Sequence, residues 1–159
     1  MYDARATPDR MPTDRAALSL VLNSHVDVLD YVQVVCDQLC ATAHLNEDAG
    51  HWVGVSVRES VVNAIRHGNK FDPAKHVGVH FAFVPADDGP DFLEIVITDE
   101  GEGFEPEEVA DPLAPENLLK SSGRGIFFMR NFMDDLQLRR RPEGGMEVRM
   151  RKRLSAPPA

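Results

Sequence analysis

The sequence is poor in cysteine, in positive charge and in long apolar runs, and each shortage excludes a class of protein. Its 159 residues include only two cysteines, Cys36 and Cys40, which cannot build a disulfide framework. The formal net charge of −9 leaves no basic footprint for nucleic acid or for an anionic membrane surface. No apolar run approaches the roughly 18 residues of a membrane span, and residues 1–15 lack an apolar signal-peptide core. We therefore expect a cytoplasmic protein that binds neither nucleic acid nor membrane.

Length and apolar patterning predict a single α+β domain. A chain of 159 residues, 43% of them hydrophobic, is sized for one domain with a real core. Alternation predicts strands and helical spacing predicts helices; the strands lie at 17–23, 76–84, 92–98, 136–139 and 146–150, and the helices at 28–44, 46–67 and from 125 onward. The strands come mainly as hairpins with helices between them, which predicts one mainly antiparallel sheet with helices on one face. The predicted domain covers 16–153, between a flexible arm at 1–15 and a Pro/Ala tail at 154–159.

Short-range signals predict where these elements begin and end. The segment 24–27, Ser-His-Val-Asp, resembles a capping box with Asp in place of Glu, at the start of the first helix. Asn46 or Asp48 is expected to cap the second helix, and Gly68 to end it as a C′ glycine. The blurred alternation of 92–98 favours a central strand that is covered on both faces.

Cys36, Cys40 and His44 follow one another at a spacing of four residues and so share one helical face. A metal site is one interpretation, but a fourth ligand is not evident. Small cysteines packed in a core are far more common. We therefore expect these cysteines to be core residues.

The stretch from Ile95 to Met129 combines features that suit a nucleotide. A strand ends in Asp99-Glu100-Gly101-Glu102-Gly103, an acidic Pro-rich loop follows, and Ser122-Gly123-Arg124-Gly125 opens a helix. A carboxylate can accept hydrogen bonds from an exocyclic amine, and glycines let backbone approach a flat ligand. A glycine-rich turn before a helix offers N–H groups to phosphates. The alternative is an ordinary strand, turn, surface loop and helix, since a lone Gly-x-Gly is weak evidence.

The second helix carries Glu59 and Asn63 four residues apart, so both side chains project from one face. An Asn amide oxygen suits Mg²⁺, which keeps several waters and takes phosphate oxygens. A Glu one turn away could accept a proton from a water or a hydroxyl aimed at a γ-phosphate. The alternative is a solvated helical face, because exposed Glu and Asn are ordinary.

Both stretches together resemble the GHKL ATPases, the superfamily of gyrase, histidine kinase and MutL relatives. Glu59-x-x-x-Asn63 with His67-Gly68-Asn69 resembles their N box, Asp99-x-Gly101-x-Gly103 their first glycine box, and Gly123-Arg124-Gly125 their second. The resemblance covers about 16–153. It implies a two-layer α/β sandwich of the Bergerat type with an ATP lid.

Within that superfamily the short chain resembles the anti-sigma factor serine/threonine kinases of sporulation and stress response. The segment 122–129, followed by Asn131-Phe132-Met133-Asp134, is similar to their second glycine box. The resemblance implies that Glu59 is the catalytic base, that Asn63 ligates Mg²⁺ and that Asp99 recognises the adenine amine. It implies a nucleotide-binding set made of Asn63, Lys70, Asp99, Gly101, Gly103, Gly123, Arg124, Gly125 and Ile126. A solvated Lys70 fits equally well, and Arg124 could meet the γ-phosphate or a partner.

The function implied by this resemblance is an ATP- and Mg²⁺-dependent kinase that phosphorylates an anti-sigma factor antagonist. It would alternate between that antagonist and a sigma factor, and it would form a homodimer through apolar surface on its first strand and helix. Two alternatives stay open. One is a nucleotide-gated protein-binding module without relevant catalysis, and the other is a stand-alone histidine-kinase-like ATPase domain.

Two further expectations concern the rim of the site. Where the superfamily often has a Thr that joins the adenine water network, this sequence has Met146 after Gly144-Gly145. Met cannot replace a hydroxyl's hydrogen bonds, which predicts weaker or differently arranged adenine recognition. The acidic lid from Glu102 to Ser122 is expected to be mobile without nucleotide.

Overall fold

The computed structural model describes residues 17–87, 91–103 and 129–154, and it has the predicted order of elements. The strands are β1 (Leu18–Asn23), β2 (His76–Val84), β3 (Phe92–Thr98), β4 (Asp135–Arg140) and β5 (Met146–Arg153). The helices are α1 (Val28–Thr42) and α2 (Glu47–Asn63), and α2 continues into a π-helical turn, Ala64–Gly68. Residues 129–132 are also helical. The predicted arm at 1–15, the tail at 155–159 and most of the predicted lid lie outside the described residues.

The five strands form one antiparallel sheet in the order β1-β2-β3-β5-β4. The predicted α+β class with a mainly antiparallel sheet is therefore confirmed. β5 lies between β3 and β4, so its first residues are beside the last residues of β3, where Thr98 pairs with Glu147. This register brings the Gly144-Gly145 turn next to Asp99.

The core lies between the helices and one face of the sheet. Val53, Val57 and Val61 of α2 are fully buried because they recur at helical spacing, and they share the core cluster with Ile95 and Ile97 of β3. Residues of β3 alternate strictly between buried and half-buried. β3 is central, as predicted, but the expectation that it is covered on both faces is wrong.

Two predicted helix boundaries are wrong and one is confirmed. Asn46 caps α2, since its side chain accepts a hydrogen bond from the Ala49 N–H at 2.8 Å. The capping box at α1 does not form: Asp27 makes no side-chain cap, and the Ser24 hydroxyl donates to the Lys75 carbonyl instead. Gly68 is not a C′ glycine but part of the π-helical turn, and the left-handed backbone comes later, at Lys70 and Phe71.

Cys36 and Cys40 are free and buried in the core, as predicted. A hydrogen bond with Cys40 and burial raise the pKa of the Cys36 thiol well above its usual value. No cluster of three or more metal-binding side chains occurs within 17–87, 91–103 and 129–154. Nor is any helix in those ranges both long and apolar enough to cross a bilayer.

Candidate functional site

Asp99 follows β3 directly and is buried, with only 5% of its surface exposed. Its Oδ1 accepts hydrogen bonds from the backbone N–H groups of Gly101 and Met146, at 3.0 Å and 3.2 Å. Its Oδ2 has no hydrogen-bond partner among the residues that the structure describes. The carboxylate is thus oriented by one oxygen and offers the other as an acceptor.

Three glycines allow backbone from separate segments to converge on this carboxylate. A Cβ on Gly68 would lie 2.5 Å from Oδ2 and from Cγ of Asp99. A Cβ on Gly145, whose φ is +88°, would overlap the Asp99 carbonyl, and one on Gly101 would overlap the Gly68 carbonyl. Real Cβ atoms do not approach other atoms this closely, so no larger residue fits any of the three positions without a shift.

Asn69 joins the end of the helical segment to the loop after β3. Its side chain is buried, and its Oδ1 accepts a hydrogen bond from the Glu100 N–H at 2.8 Å. Its Nδ2 donates to the Ser24 hydroxyl and to the His76 carbonyl, each at 3.0 Å. One buried amide therefore ties together the ends of β1, the π-helical turn, β2 and β3.

Arg141 holds the same loop from the opposite side. Its Nη1 donates to the Asp99 carbonyl at 2.6 Å, and its Nη2 and Nε donate to Glu143 Oε1 at 2.8 Å and 3.1 Å. A backbone hydrogen bond, and to a smaller extent the hydrogen bond from Arg141, hold the pKa of Glu143 below its usual range. The guanidinium is therefore hydrogen-bonded to two partners, one of them the backbone of Asp99.

Glu59 and Asn63 lie one turn apart near the end of α2, and both are half-buried. Neither side chain has a hydrogen bond to another described residue. Gly68, which abuts Asp99, lies only five residues beyond Asn63, at the end of the π-helical turn that continues α2. The helix that carries these two polar groups therefore ends in contact with the Asp99 carboxylate.

Comparison with known proteins identifies the family. Residues 22–152 match the model of the histidine kinase-like ATPase domain, which covers most of the chain. The chain belongs to this family. The predicted membership of the GHKL superfamily is therefore confirmed, and the sheet with its helices is this family's ATPase fold.

Individual relatives of this ATPase domain carry the names of anti-sigma factors and of serine-protein kinases. The chain is 38% identical over 115 residues to the anti-sigma F factor of Heyndrickxia coagulans, covering 70% of this chain and 73% of that protein. It is 40% identical over 103 residues to the anti-sigma F factor of Oceanobacillus iheyensis, covering 62% and 66%. It is 27% identical over 107 residues to the serine-protein kinase RsbW of Bacillus subtilis, covering 64% and 62%. The predicted anti-sigma factor kinase family is confirmed by these relatives.

One solved structure has the same fold as this ATPase domain. It contains the RsbU and RsbW domains of a Mycobacterium tuberculosis protein, and it superposes with a TM-score of 0.58 at 16% identity. The match covers 89% of this chain and 33% of that one. At this identity the likeness supports the fold alone.

The remaining predicted residues of the ATPase site differ in how far the structure places them. Lys70 is exposed on a left-handed turn, with φ of 51°, and Gly103 is left-handed at φ 74° beside the Gly145 carbonyl. Gly123, Arg124, Gly125 and Ile126 lie outside the described residues. The roles predicted for all these residues toward a ligand stay predictions.

Met146 stands where other members of the superfamily often carry a Thr, and the structure gives it a backbone role. Its N–H donates to Asp99 Oδ1, and its carbonyl accepts the Asp99 N–H at 3.1 Å. Its side chain is buried at 5% exposure. The weaker or differently arranged adenine recognition expected from this residue stays a prediction.

Sequence reasoning did not assign the parts played by four residues around Asp99, namely Gly68, Asn69, Arg141 and Gly145. Paired glycines at 144–145 were a usable signal, because two adjacent glycines in a hairpin turn can mark a close backbone approach as well as a turn. No local signal marks Arg141, since its partner, Asp99, lies 42 residues away in the sequence.

Proposed function

We propose that this protein is an ATP- and Mg²⁺-dependent serine/threonine kinase that phosphorylates an anti-sigma factor antagonist and alternates between that antagonist and a sigma factor. The observation that carries this proposal is the Asp99 carboxylate, held through Oδ1 and open at Oδ2, in contact with the end of the Glu59–Asn63 helix. The names of the relatives supply the reaction and the partners. Because sigma factors act in the cytoplasm, the protein would act there too.

Asp99 would recognise adenine through its free oxygen. An ionised carboxylate only accepts hydrogen bonds, and the 6-amino group of adenine donates them. A 6-oxo purine such as guanine would instead place an acceptor against the carboxylate. The buried position of Asp99 strengthens this preference, because an unpaired polar group is costly away from water.

Asn63 fits the requirements of a Mg²⁺ ligand. Mg²⁺ needs no cage of protein carboxylates, since it keeps several waters and binds phosphate oxygens together with one or two protein groups. The Asn63 amide is half-buried and has no hydrogen bond to other described residues, so its oxygen is available. When bound, the ion would neutralise part of the triphosphate charge. Lys70 and residues 123–126 would contact the phosphates as well.

Glu59 would act as the general base one turn before Asn63. Its carboxylate would take the proton of the substrate hydroxyl while that oxygen attacks the γ-phosphorus. The bond to the β-phosphate oxygen breaks, and ADP leaves with its electron pair. Because Glu59 is half-buried and not engaged by a described partner, its carboxylate is free to accept that proton.

A homodimer would form through β1 and α1. Val21 on β1 is 78% exposed, and Tyr31 and Val34 on α1 are 73% and 68% exposed. β1 is also an edge strand whose sequence, LSLVLN, has no charge to prevent pairing with another strand. Exposed apolar groups next to such an edge are typical of a protein interface. Size-exclusion chromatography with light scattering should give a dimer for the wild type and a monomer for Val21→Lys.

The test of the kinase uses the cognate antagonist as substrate. Wild-type protein with Mg²⁺ and γ-labelled ATP should label the antagonist, and Glu59→Ala should bind ATP normally but transfer nothing. Asn63→Ala should lose both Mg²⁺-dependent ATP binding and transfer. Equal labelling by wild type and Glu59→Ala would remove Glu59 from its role.

A nucleotide-gated binding module is the second candidate, and it is favoured by Val26 and Phe71, two exposed apolar side chains outside β1 and α1. Such a module needs nucleotide in order to bind its partner, but it needs no general base because it transfers no phosphate. If Glu59→Ala still regulates the partner protein while Asn63→Ala and Asp99→Asn do not, the binding module replaces the kinase as the function.

A further inference from the structure

The peptide group between Asp99 and Glu100 is held at both of its polar ends. Its carbonyl oxygen accepts a hydrogen bond from Arg141 Nη1 at 2.6 Å, and its N–H donates to Asn69 Oδ1 at 2.8 Å. Both polar groups belong to one rigid plane, because the peptide bond is planar. Two side chains from distant parts of the chain therefore fix the rotation of a single peptide plane.

We propose that Arg141 and Asn69 are positioning residues that aim the Asp99 carboxylate and so set the preference for a 6-aminopurine over a 6-oxopurine. The inference rests on the proposed nucleotide site and deepens it. Neither residue contacts the purine base. Each acts through the backbone of Asp99.

Asn69 and Arg141, which together clamp this peptide group, are each held by further hydrogen bonds. Asn69 is 1% exposed, and its amide nitrogen donates to the Ser24 hydroxyl and the His76 carbonyl. Arg141 makes two hydrogen bonds to the Glu143 carboxylate in addition to the one to Asp99. Hydrogen bonds that involve a charged group are roughly twice as strong as neutral ones. Each side chain would therefore have to strain or break other hydrogen bonds in order to follow a rotation of the peptide plane.

Rotation of this plane would change the direction of the carboxylate. The Gly101 N–H that orients Oδ1 comes one residue after the clamped peptide, so its aim depends on that peptide. Gly68 lies against Oδ2 and Gly145 against the Asp99 carbonyl, so backbone closes both sides of the acid. In the clamped orientation Oδ1 holds both backbone hydrogen bonds and Oδ2 has none to a described residue. A hydrogen bond to adenine depends on that aim because it weakens steeply at poor angles.

The experiment compares binding of ATP with binding of inosine triphosphate, which carries a 6-oxo group in place of the amine. Titration calorimetry on the full chain gives both dissociation constants with Mg²⁺ present. Arg141→Met should weaken ATP binding by about tenfold, the equivalent of one hydrogen bond, and leave inosine triphosphate binding unchanged. The ratio of the two affinities should therefore fall about tenfold. A residue needed only for stability would weaken both nucleotides alike.

One variant serves as a control and another as a second test. Arg139→Met removes a neighbouring, 62% exposed arginine that pairs with Glu147 at 3.2 Å, and it should leave the ratio unchanged. Asn69→Ala removes the acceptor of the Glu100 N–H together with the donors to Ser24 and His76. It should lower the ratio as Arg141→Met does, and it provides a second test if that variant fails to fold.

Amide exchange at Glu100 in the nucleotide-free protein reports on the clamp itself. Exchange should be slow in wild type and in Arg139→Met and at least tenfold faster in Asn69→Ala and Arg141→Met. Faster exchange with an unchanged affinity ratio would overturn the inference while leaving the nucleotide site intact. Absence of ATP binding in the wild type would overturn the proposed function and this inference together, and it is distinguishable because it does not depend on any variant.

Discussion

Replacing Gly68 by alanine gives the sharpest test of the site, because it adds one methyl group next to the acceptor oxygen. The new Cβ would start 2.5 Å from Oδ2 and Cγ of Asp99. Gly68 is not among the residues with positive φ, so alanine adds no backbone strain there. A loss of stability or of ATP affinity must therefore come from the contact with Asp99.

The size of the effect follows from the distances. The carboxylate must retreat by about 0.5 Å to reach even 3.0 Å, the shortest approach that real Cβ atoms show. Its two backbone hydrogen bonds at Oδ1 already measure 3.0 Å and 3.2 Å, so the same shift strains or breaks them. Overpacking of this kind costs about 1–3 kcal/mol, partly offset by up to about 1 kcal/mol from helix propensity. Loss of the adenine hydrogen bond to a charged group costs about 1.5–3 kcal/mol, or roughly 10- to 100-fold in ATP affinity.

Calorimetry with ATP and thermal unfolding measure these two effects separately. A matched control is Gly50→Ala, in the first turn of α2, where the added Cβ would lie 3.6 Å from Cys40 Cβ in ordinary contact. That control should bind ATP normally and gain about 0.5–1 kcal/mol in stability. If folded Gly68→Ala binds ATP within twofold of wild type, the contact between Gly68 and Asp99 has no part in base recognition.

Three further predictions follow from other contacts. Asn69→Ala should lower the free energy of unfolding by about 2–4 kcal/mol and the melting temperature by roughly 5–12 °C, because it leaves buried backbone groups unpaired; an unchanged melting curve would contradict this. Phe132→Ala should lower stability by about 1–3 kcal/mol and change the fluorescence of Trp52, the chain's one tryptophan, whose ring stacks on Phe132 at 3.8 Å; identical emission spectra would show that the stack does not persist in solution. Because the pKa of Cys36 is raised in the fold, its neutral thiol stabilises the protein below the unfolded-state thiol pKa of about 8.5, and this contribution is lost as pH rises further. Iodoacetamide at pH 9 should therefore label Cys36 slowly in native protein and rapidly in denaturant, and equal rates would refute its burial.

The sheet and the core could be predicted from the sequence because their signals are local. Val77, Val79 and Phe81 alternate with polar or small residues, and the same three residues are buried in β2. The prediction that the strand at 92–98 is covered on both faces was wrong, because Val96 is apolar yet lies on the half-buried face. Apolar character alone does not determine which face of a strand a residue occupies. The blurred alternation of this segment was therefore not a sign of burial on both faces.

The geometry around Asp99 could not be predicted because its contacts are distant in the sequence. The Met146 N–H that orients the carboxylate lies 47 residues from it. Gly68 was assigned the commonest task of a glycine after a helix, and only the fold shows what it abuts. Ser24 illustrates the same limit, because its hydroxyl bonds to the Lys75 carbonyl, 51 residues away, in preference to its own helix.

The position of β5 inside the sheet also sets the order in which the protein can be assembled during synthesis. β1, β2 and β3 are translated first and can form two antiparallel pairings, but β3 obtains its second neighbour only when residues 146–153 have emerged. A ribosome paused anywhere in 104–128 therefore holds a chain whose β3 lacks one of its two neighbours and whose ligand cleft is incomplete. Nascent-chain binding assays at successive stall points should find nucleotide affinity arising in one step, after the last strand has left the exit tunnel.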